Sequence, residues 1–400
     1  MQPTIPNEFD EVIDRRSSNS MKWEVSSKFL THAQRAVDPL PMWVADMDFR
    51  APQAVIDALH EAVSFGVFGY PAGPSKGYLE AISEWQQRRF GWEIESEWIV
   101  PISGVIAGLK TAIQAFSSAG DSILIQPPVY SHFHSDVIIN GRHITAAPLT
   151  LDNNRYQFDP VIFEKAIRDD TKIFILSNPH NPTGNVWSEE ELRTMGEICL
   201  RHDVLVVADE IHQDFVLSPS RHHIPFASID PRFSENSITC TSASKTFNLA
   251  GLQCANLIIP NSRLRWQFNR RLDKNQFTLV NLMGMVATEA AYRHGEDWLE
   301  RLLKYIHGNH MHFATAINGA GLGIKVHEMD SLYLAWMDCR ALDMPAADLE
   351  DFIITRGRIW FDKGQKFGVD GHGFLRANLA CPRSVVDEAI SRLGKILSNI

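Results

Sequence analysis

From about residue 52 to residue 294, short apolar runs rich in β-branched residues alternate with longer stretches in which apolar positions recur every three to four residues. The runs are 122–126 (Ser-Ile-Leu-Ile-Gln), 172–176 (Lys-Ile-Phe-Ile-Leu), 204–208 (Val-Leu-Val-Val-Ala), 237–241 (Ser-Ile-Thr-Cys-Thr) and 256–259 (Asn-Leu-Ile-Ile). Strands that are apolar at consecutive positions are buried on both faces, so the pattern predicts a mostly parallel, seven-stranded type of sheet covered by helices, an α/β class. Helix starts are legible too. In Ser188-Glu-Glu-Glu-Leu192, Ser188 can cap and Glu190 or Glu191 can close the box before an apolar face running to His202. Beyond Gly295 the pattern changes to a long helix (296 to about 318), strand-like segments at 331–337 and 373–378, and a closing helix from Pro382. This predicts a smaller α+β domain over 295–400, with residues 1–50 packing beside it and 51–294 forming the large domain.

The length of 400 residues is enough for two such units and a deep site between elements. With 44% hydrophobic and 22% charged residues and a mean hydropathy of −0.15, a disordered or fibrous chain is excluded. A formal net charge of −10 without any compensating basic run argues against nucleic acid or an anionic membrane as partner; Arg15-Arg16 and Arg270-Arg271 are isolated pairs. No stretch reaches the roughly 18 apolar residues needed to span a bilayer, and no basic segment followed by an apolar one opens the chain. Five scattered cysteines, an odd number without a CxxC pair, suit a reducing, cytoplasmic compartment. His132 with His134 and His222 with His223 lack metal-ligand spacing to other donors, so no metal is expected.

Three polar residues fall at or just beyond the carboxyl ends of predicted strands, where open parallel sheets bind ligands: Asn181, Asp209 and Lys245. Lys245, in Thr241-Ser-Ala-Ser-Lys-Thr-Phe-Asn248, offers an amine beside apolar neighbours that would favour its neutral, nucleophilic form. Asp209 offers a carboxylate for a protonated ring nitrogen, and Asn181 an amide for a ring oxygen. An amine, a carboxylate and an amide on one sheet edge are what pyridoxal 5'-phosphate (PLP) requires. Its phosphate would take Gly104, Val105 and Ile106, which open a helix with free amides, together with the hydroxyls of Ser242 and Ser244. Tyr130, after a strand, is placed to stack on a ring or simply to fill the core. Arg376, in Phe374-Leu-Arg-Ala-Asn378, has two readings: a bidentate clamp for a substrate carboxylate, or half of a buried structural ion pair.

Together with Asp14-Arg15, Ser20-Met-Lys-Trp23, Leu40-Pro-Met-Trp-Val-Ala-Asp-Met-Asp-Phe49, Phe68-Gly-Tyr70, Ser177-Asn-Pro-His-Asn-Pro-Thr-Gly184 and Asp209-Glu-Ile-His212, these motifs resemble the fold-type I PLP enzymes of the aminotransferase class I/II superfamily. Within it the chain is more similar to carbon–sulfur β-lyases of the MalY/PatB type. The resemblance implies that Lys245 binds the cofactor covalently, Asp209 faces the pyridine nitrogen, Asn181 and His212 stand near the ring hydroxyl, Tyr130 covers the ring and Arg376 holds the substrate carboxylate. It further implies a homodimer with shared active sites in which Tyr70 reaches the phosphate of the neighbouring subunit. The expected reaction is β-elimination from a sulfur-containing L-amino acid, L-cystathionine giving homocysteine, pyruvate and ammonia. Two positions depart from the pattern. Many aminotransferases place an arginine on the phosphate where this chain has Gln253, which points away from transamination. Leu332, in Asp330-Ser-Leu-Tyr333, replaces a small residue and is expected to reshape the substrate pocket. Transamination, a specialised replacement, cyclisation or racemisation, and a regulatory binding role on the same fold remain as alternatives at this stage.

Overall fold

The structure is a computed structural model and describes residues 7–24, 28–276 and 279–398. Its strands are β1 (Leu40–Met42), β2 (Ile99–Ile102), β3 (Ser122–Ile125), β4 (His143–Ala146), β5 (Thr150–Asp152), β6 (Arg155–Gln157), β7 (Thr171–Ser177), β8 (Leu205–Asp209), β9 (Ser237–Thr241), β10 (Ala255–Ile258), β11 (Lys325–Val326), β12 (Leu334–Asp338), β13 (Ile359–Lys363) and β14 (Phe374–Asn378). Seven of them form one sheet in the order β2-β10-β9-β8-β7-β3-β4. The pairs from β9 to β4 are parallel, and β10 runs antiparallel to both β2 and β9.

The five runs read from the sequence are five of these strands, displaced by a residue at most of their ends. The two that the pattern missed lie at the sheet edges. β2 contains Pro101, which cannot donate to a ladder and is tolerated only where no strand needs its N–H. β4 leaves His143 and Ala146 exposed, so it lacks the continuous apolar signature of its neighbours. Interior strands are dry on both faces: Val206 and Val207 of β8, and Phe174 and Ile175 of β7, are all buried. Each such side chain stabilises the fold by about 1.5–3 kcal/mol.

A second sheet, β1-β13-β14-β12-β11, is built from the carboxyl-terminal residues plus one early strand, since β1 pairs parallel with β13. Part of the segment 1–50 therefore joins this sheet through a direct ladder, while residues 1–6 and 25–27 of it lie outside the described residues. The expected long helix is Glu296–Ala320, and the closing helix Arg383–Leu397 begins directly after Pro382, its N-cap. Both cover the small sheet's core with Leu302, Ile306, Phe313, Val386 and Leu393. All five cysteines are buried and free.

Candidate active site

A cavity of about 600 Å³ opens at the carboxyl ends of β7, β8 and β9. Asp209 is the last residue of β8 and enters its floor; Asn181 follows β7 by four residues; Lys245 follows β9 by four, in the short helix Ala243–Thr246. Parallel strands present their carboxyl ends on one side, so three residues distant in sequence reach one space. The loop after β7 is tied down locally: Asn178 N–H donates to Asp209 O at 3.0 Å, and Asn181 N–H donates to Ser177 Oγ at 3.1 Å. Tyr130, His212, Ser177, Ser244, Gln253 and Ala45 complete much of the wall.

The charges in the cavity are poised. Lys245 Nζ donates to Ala45 O at 2.7 Å, and burial lowers its pKa to about 8 against the pull of Asp46 and Asp209. Burial raises Asp209 to about 7, opposed by the Ile211 N–H that donates to its Oδ1 at 3.2 Å and by the Lys245 ammonium. Burial, Lys245 and Arg376 together hold His212 well below the usual histidine range. His212 Nδ1 is buried without a partner, a polar atom left for a ligand. His180, by contrast, is a structural residue whose ring nitrogens meet Thr183 Oγ1 and Gln126 O.

The helix Val105–Phe116 points its amino end into the cavity, with Ser103, Gly104, Val105 and Ile106 on the wall. Gly104 has φ of 110°, a region that L side chains avoid, and a Cβ there would lie 3.5 Å from Gln253 Oε1. Amides of a first helical turn have no intrahelical partner and bind anions. Gln253 stands beside this cradle, but its Nε2 is committed to Ala250 O at 2.7 Å. Of the two serines expected to add hydroxyls, Ser244 lines the cavity and Ser242 does not. Ser242 Oγ instead donates to Cys254 O at 2.7 Å and accepts from Ser244 N–H, capping the helix that carries Lys245.

Arg376 forms the buried ion pair of its structural reading and also reaches a residue of the cavity. It is only 4% exposed and stands outside the cavity wall, with Nη2 donating to Asp362 Oδ2 at 2.9 Å, a buried ion pair. Its Nη1 donates to Asn181 Oδ1 at 2.9 Å, which links it to the cavity. Leu332 does not shape the pocket: it is buried in the core in a left-handed conformation (φ 75°), and its N–H donates to Phe215 O. The apolar side chain finds its place in the core, whereas the cavity is walled by other residues. Tyr70 is 91% exposed and is not part of the wall.

Sequence reasoning assigned no roles within the segment Trp43–Asp48. Its Ala45 carbonyl accepts from both Lys245 Nζ and Tyr333 Oη, and the Trp43 carbonyl accepts from Arg376. Backbone oxygens leave no mark in a sequence. The segment's anchors do: Asn378 Nδ2 donates to Val44 O and Asp46 O, and buried Asp48 receives Arg15, Lys22 and Trp23 at 2.7, 2.7 and 2.8 Å. Burial pushes Asp48 up, but Lys22, Trp23 and Arg15 outweigh it and hold its carboxyl below the usual range.

A site with a half-buried amine, a buried carboxylate opposite, an orphaned imidazole nitrogen and a helix amino end fits a flat aldehyde bearing a ring nitrogen and a phosphate. The profile of the family described as aminotransferase class I and II matches residues 40–393. Cystathionine beta-lyase PatB of Bacillus subtilis is 40% identical over 392 residues, covering 98% of this chain and all of PatB. Among solved structures, cystalysin from Treponema denticola, which contains pyridoxal 5'-phosphate, superposes with a TM-score of 0.93 at 32% identity, over 99% of this chain and 100% of that one. The PLP-bound C-S lyase from Staphylococcus hominis gives 0.90 at 32% identity, over 98% of each chain. The chain therefore belongs to the aminotransferase class I and II family, in the company of the PatB-type carbon–sulfur lyases.

Proposed function

We propose that this protein is a PLP-dependent carbon–sulfur β-lyase that acts on L-amino acids with sulfur at Cβ. The observation that carries the reading is the meeting of Lys245, with its pKa lowered to about 8, and Asp209 in one cavity that also holds a helix amino end. For L-cystathionine the net reaction consumes one water and yields homocysteine, pyruvate and ammonia. PLP, when bound, supplies an aldehyde that captures the substrate amino group and a protonated ring that withdraws electrons from Cα.

Each residue has a part. Lys245 would hold the cofactor and, as a free amine, would take the Cα proton; a pKa near working pH suits an amine to both accept and return it. Asp209 would keep a proton on the ring nitrogen, and Asn181 and His212, which line the same cavity, would serve the ring oxygen. Amides of residues 104–106 and the Ser244 hydroxyl would take the phosphate, with Gln253 supplying no positive charge. Tyr130, on the cavity wall, would cover the ring. Arg376, joined to Asn181, binds the substrate carboxylate.

We read the two sheets as the cores of two domains, 51–294 and 295–400 with 1–50. The chain works as a homodimer in this reading. Tyr70 and the exposed Phe65, Val67 and Phe68 form an apolar patch that a second copy would cover, bringing Tyr70 to the other subunit's phosphate. Among the described residues no helix is long and apolar enough to cross a membrane. Five buried free thiols fit a reducing, cytoplasmic setting.

The test is to mix the PLP-loaded protein with L-cystathionine and follow thiol, pyruvate and the visible cofactor spectrum. Equal amounts of thiol and pyruvate establish β-elimination. Accumulation of the amino form of the cofactor with a 2-oxo acid, and no thiol, would replace it with transamination.

A further inference from the structure

The register of the small sheet sets Asp362 of β13 opposite Arg376 of β14, so carboxylate and guanidinium are cross-strand neighbours. Around Arg376 the donors are divided. Nη2 serves Asp362 Oδ2 at 2.9 Å and Trp43 O at 3.3 Å, Nη1 serves Asn181 Oδ1, Nε has no partner, and the Phe367 ring lies 4.7 Å from the guanidinium carbon. Asp362 is shared as well. Its other oxygen, Oδ1, accepts from Lys366 Nζ at 2.6 Å, and that ammonium lies 5.2 Å from the centre of the Trp43 ring.

An arginine matched one-to-one with a buried carboxylate is electrically neutral and attracts an incoming anion weakly, because the partner's charge cancels its own at short range. Here one carboxylate lies between two cations, so Lys366 draws on Asp362 and a surplus positive charge remains at Arg376. We propose that Lys366 and Asp362 are positioning residues that set the affinity of the site for the substrate α-carboxylate: Asp362 aims the guanidinium, and Lys366, through Asp362, determines how much of its charge is left for the substrate. This rests on the reading that Arg376 binds that carboxylate. Lys366 does not line the cavity; its hydrogen bond goes to Asp362, and its ammonium also rests on the ring of Trp43, whose carbonyl accepts from Arg376.

The experiment is a double-mutant cycle in the PLP-loaded enzyme, with KM and kcat for L-cystathionine measured for Lys366→Met, Lys366→Arg, Asp362→Asn and Lys366→Met/Asp362→Asn. Lys366→Met should raise KM about three- to tenfold with kcat within about twofold, the size expected of one nearby charge at intermediate dielectric. Lys366→Arg, which keeps the charge, should restore the parental KM. In the Asp362→Asn background, Lys366→Met should change KM by less than about twofold. An unchanged KM in Lys366→Met, a failure of Lys366→Arg to restore it, or an equal effect in both backgrounds overturns the proposal. Arg376→Met separates this from the reading beneath it: if its KM equals the parent's, the carboxylate assignment itself is wrong, whereas a steep rise beside a silent Lys366→Met refutes only the role of Lys366.

Discussion

At the scale of single residues, the cavity is defined by groups whose protonation the fold has moved. Lys245→Ala should lower turnover of L-cystathionine by about 10³-fold or more, since the proposed proton-transfer group and covalent anchor would be lost together. Pyruvate release over hours, with circular dichroism to verify the fold, is the measurement; retained turnover would remove Lys245 from the chemistry. Asp209 gives a prediction with a sign. Its folded pKa of about 7 lies above the unfolded value, so its contribution to stability is fully present below pH 3.8 and is lost as pH rises through 7. Without cofactor, Asp209→Asn should therefore melt higher than the parent at pH 8 and by a smaller margin at pH 5, because the amide removes a charge that burial penalises while Oδ1 still accepts from Ile211. The same variant should lose turnover. A gap that shrinks from pH 5 to pH 8 contradicts the assignment.

Elements carry the site through their ends. The helix Glu189–Arg201 starts with the capping box that its sequence announces: Ser188 Oγ accepts from Glu191 N–H at 3.2 Å and Glu191 Oε2 accepts from Ser188 N–H at 2.8 Å, Glu191 and not Glu190 closing it. Ser188→Ala should cost about 1 kcal/mol in urea unfolding with kcat unchanged, since the helix end lies away from the cavity wall. The Trp43–Asp48 segment behaves differently. Lys22 is 1% exposed and paired with Asp48, so Lys22→Met leaves a buried carboxylate short of its closest ammonium and should destabilise the enzyme by about 3 kcal/mol. It should also loosen Ala45 O from Lys245, removing an acceptor that favours the ammonium and so lowering the pH at which activity appears; a variant with parental stability and pH profile would show that the segment is held by Arg15 and Asn378 alone.

On the scale of the whole molecule, two sheets are joined through residues far apart in sequence: Arg376 on Asn181 and Lys245 on Ala45. If a second copy completes each site, activity per subunit should fall on dilution below the dimer's dissociation constant. Mixing inactive Lys245→Ala subunits with weakly active Tyr70→Ala subunits should then recover turnover, because one of the two sites in a mixed dimer has both residues intact. Activity that never exceeds the sum of the separate variants would place Tyr70 outside the chemistry.

The strands of the large sheet, the capping box and the residues of the cavity floor were legible in the chain, because burial on two faces demands unbroken apolar runs and because strand ends bearing Asn181, Asp209 and Lys245 stand out against them. Edge strands β2 and β4 were not, since an edge relaxes the demand for continuous apolar residues. Tertiary structure alone decided which polar groups are free. It spent Ser242 on Cys254 O, buried Leu332 away from the pocket, and divided Arg376 between Asp362 and Asn181. It also brought the carbonyl of Ala45 to the amine of Lys245. Composition and spacing report where a side chain is needed for a core or a turn; a hydrogen bond to a backbone oxygen 200 residues away depends on where two chains of packing meet, and that is set only once the molecule has folded.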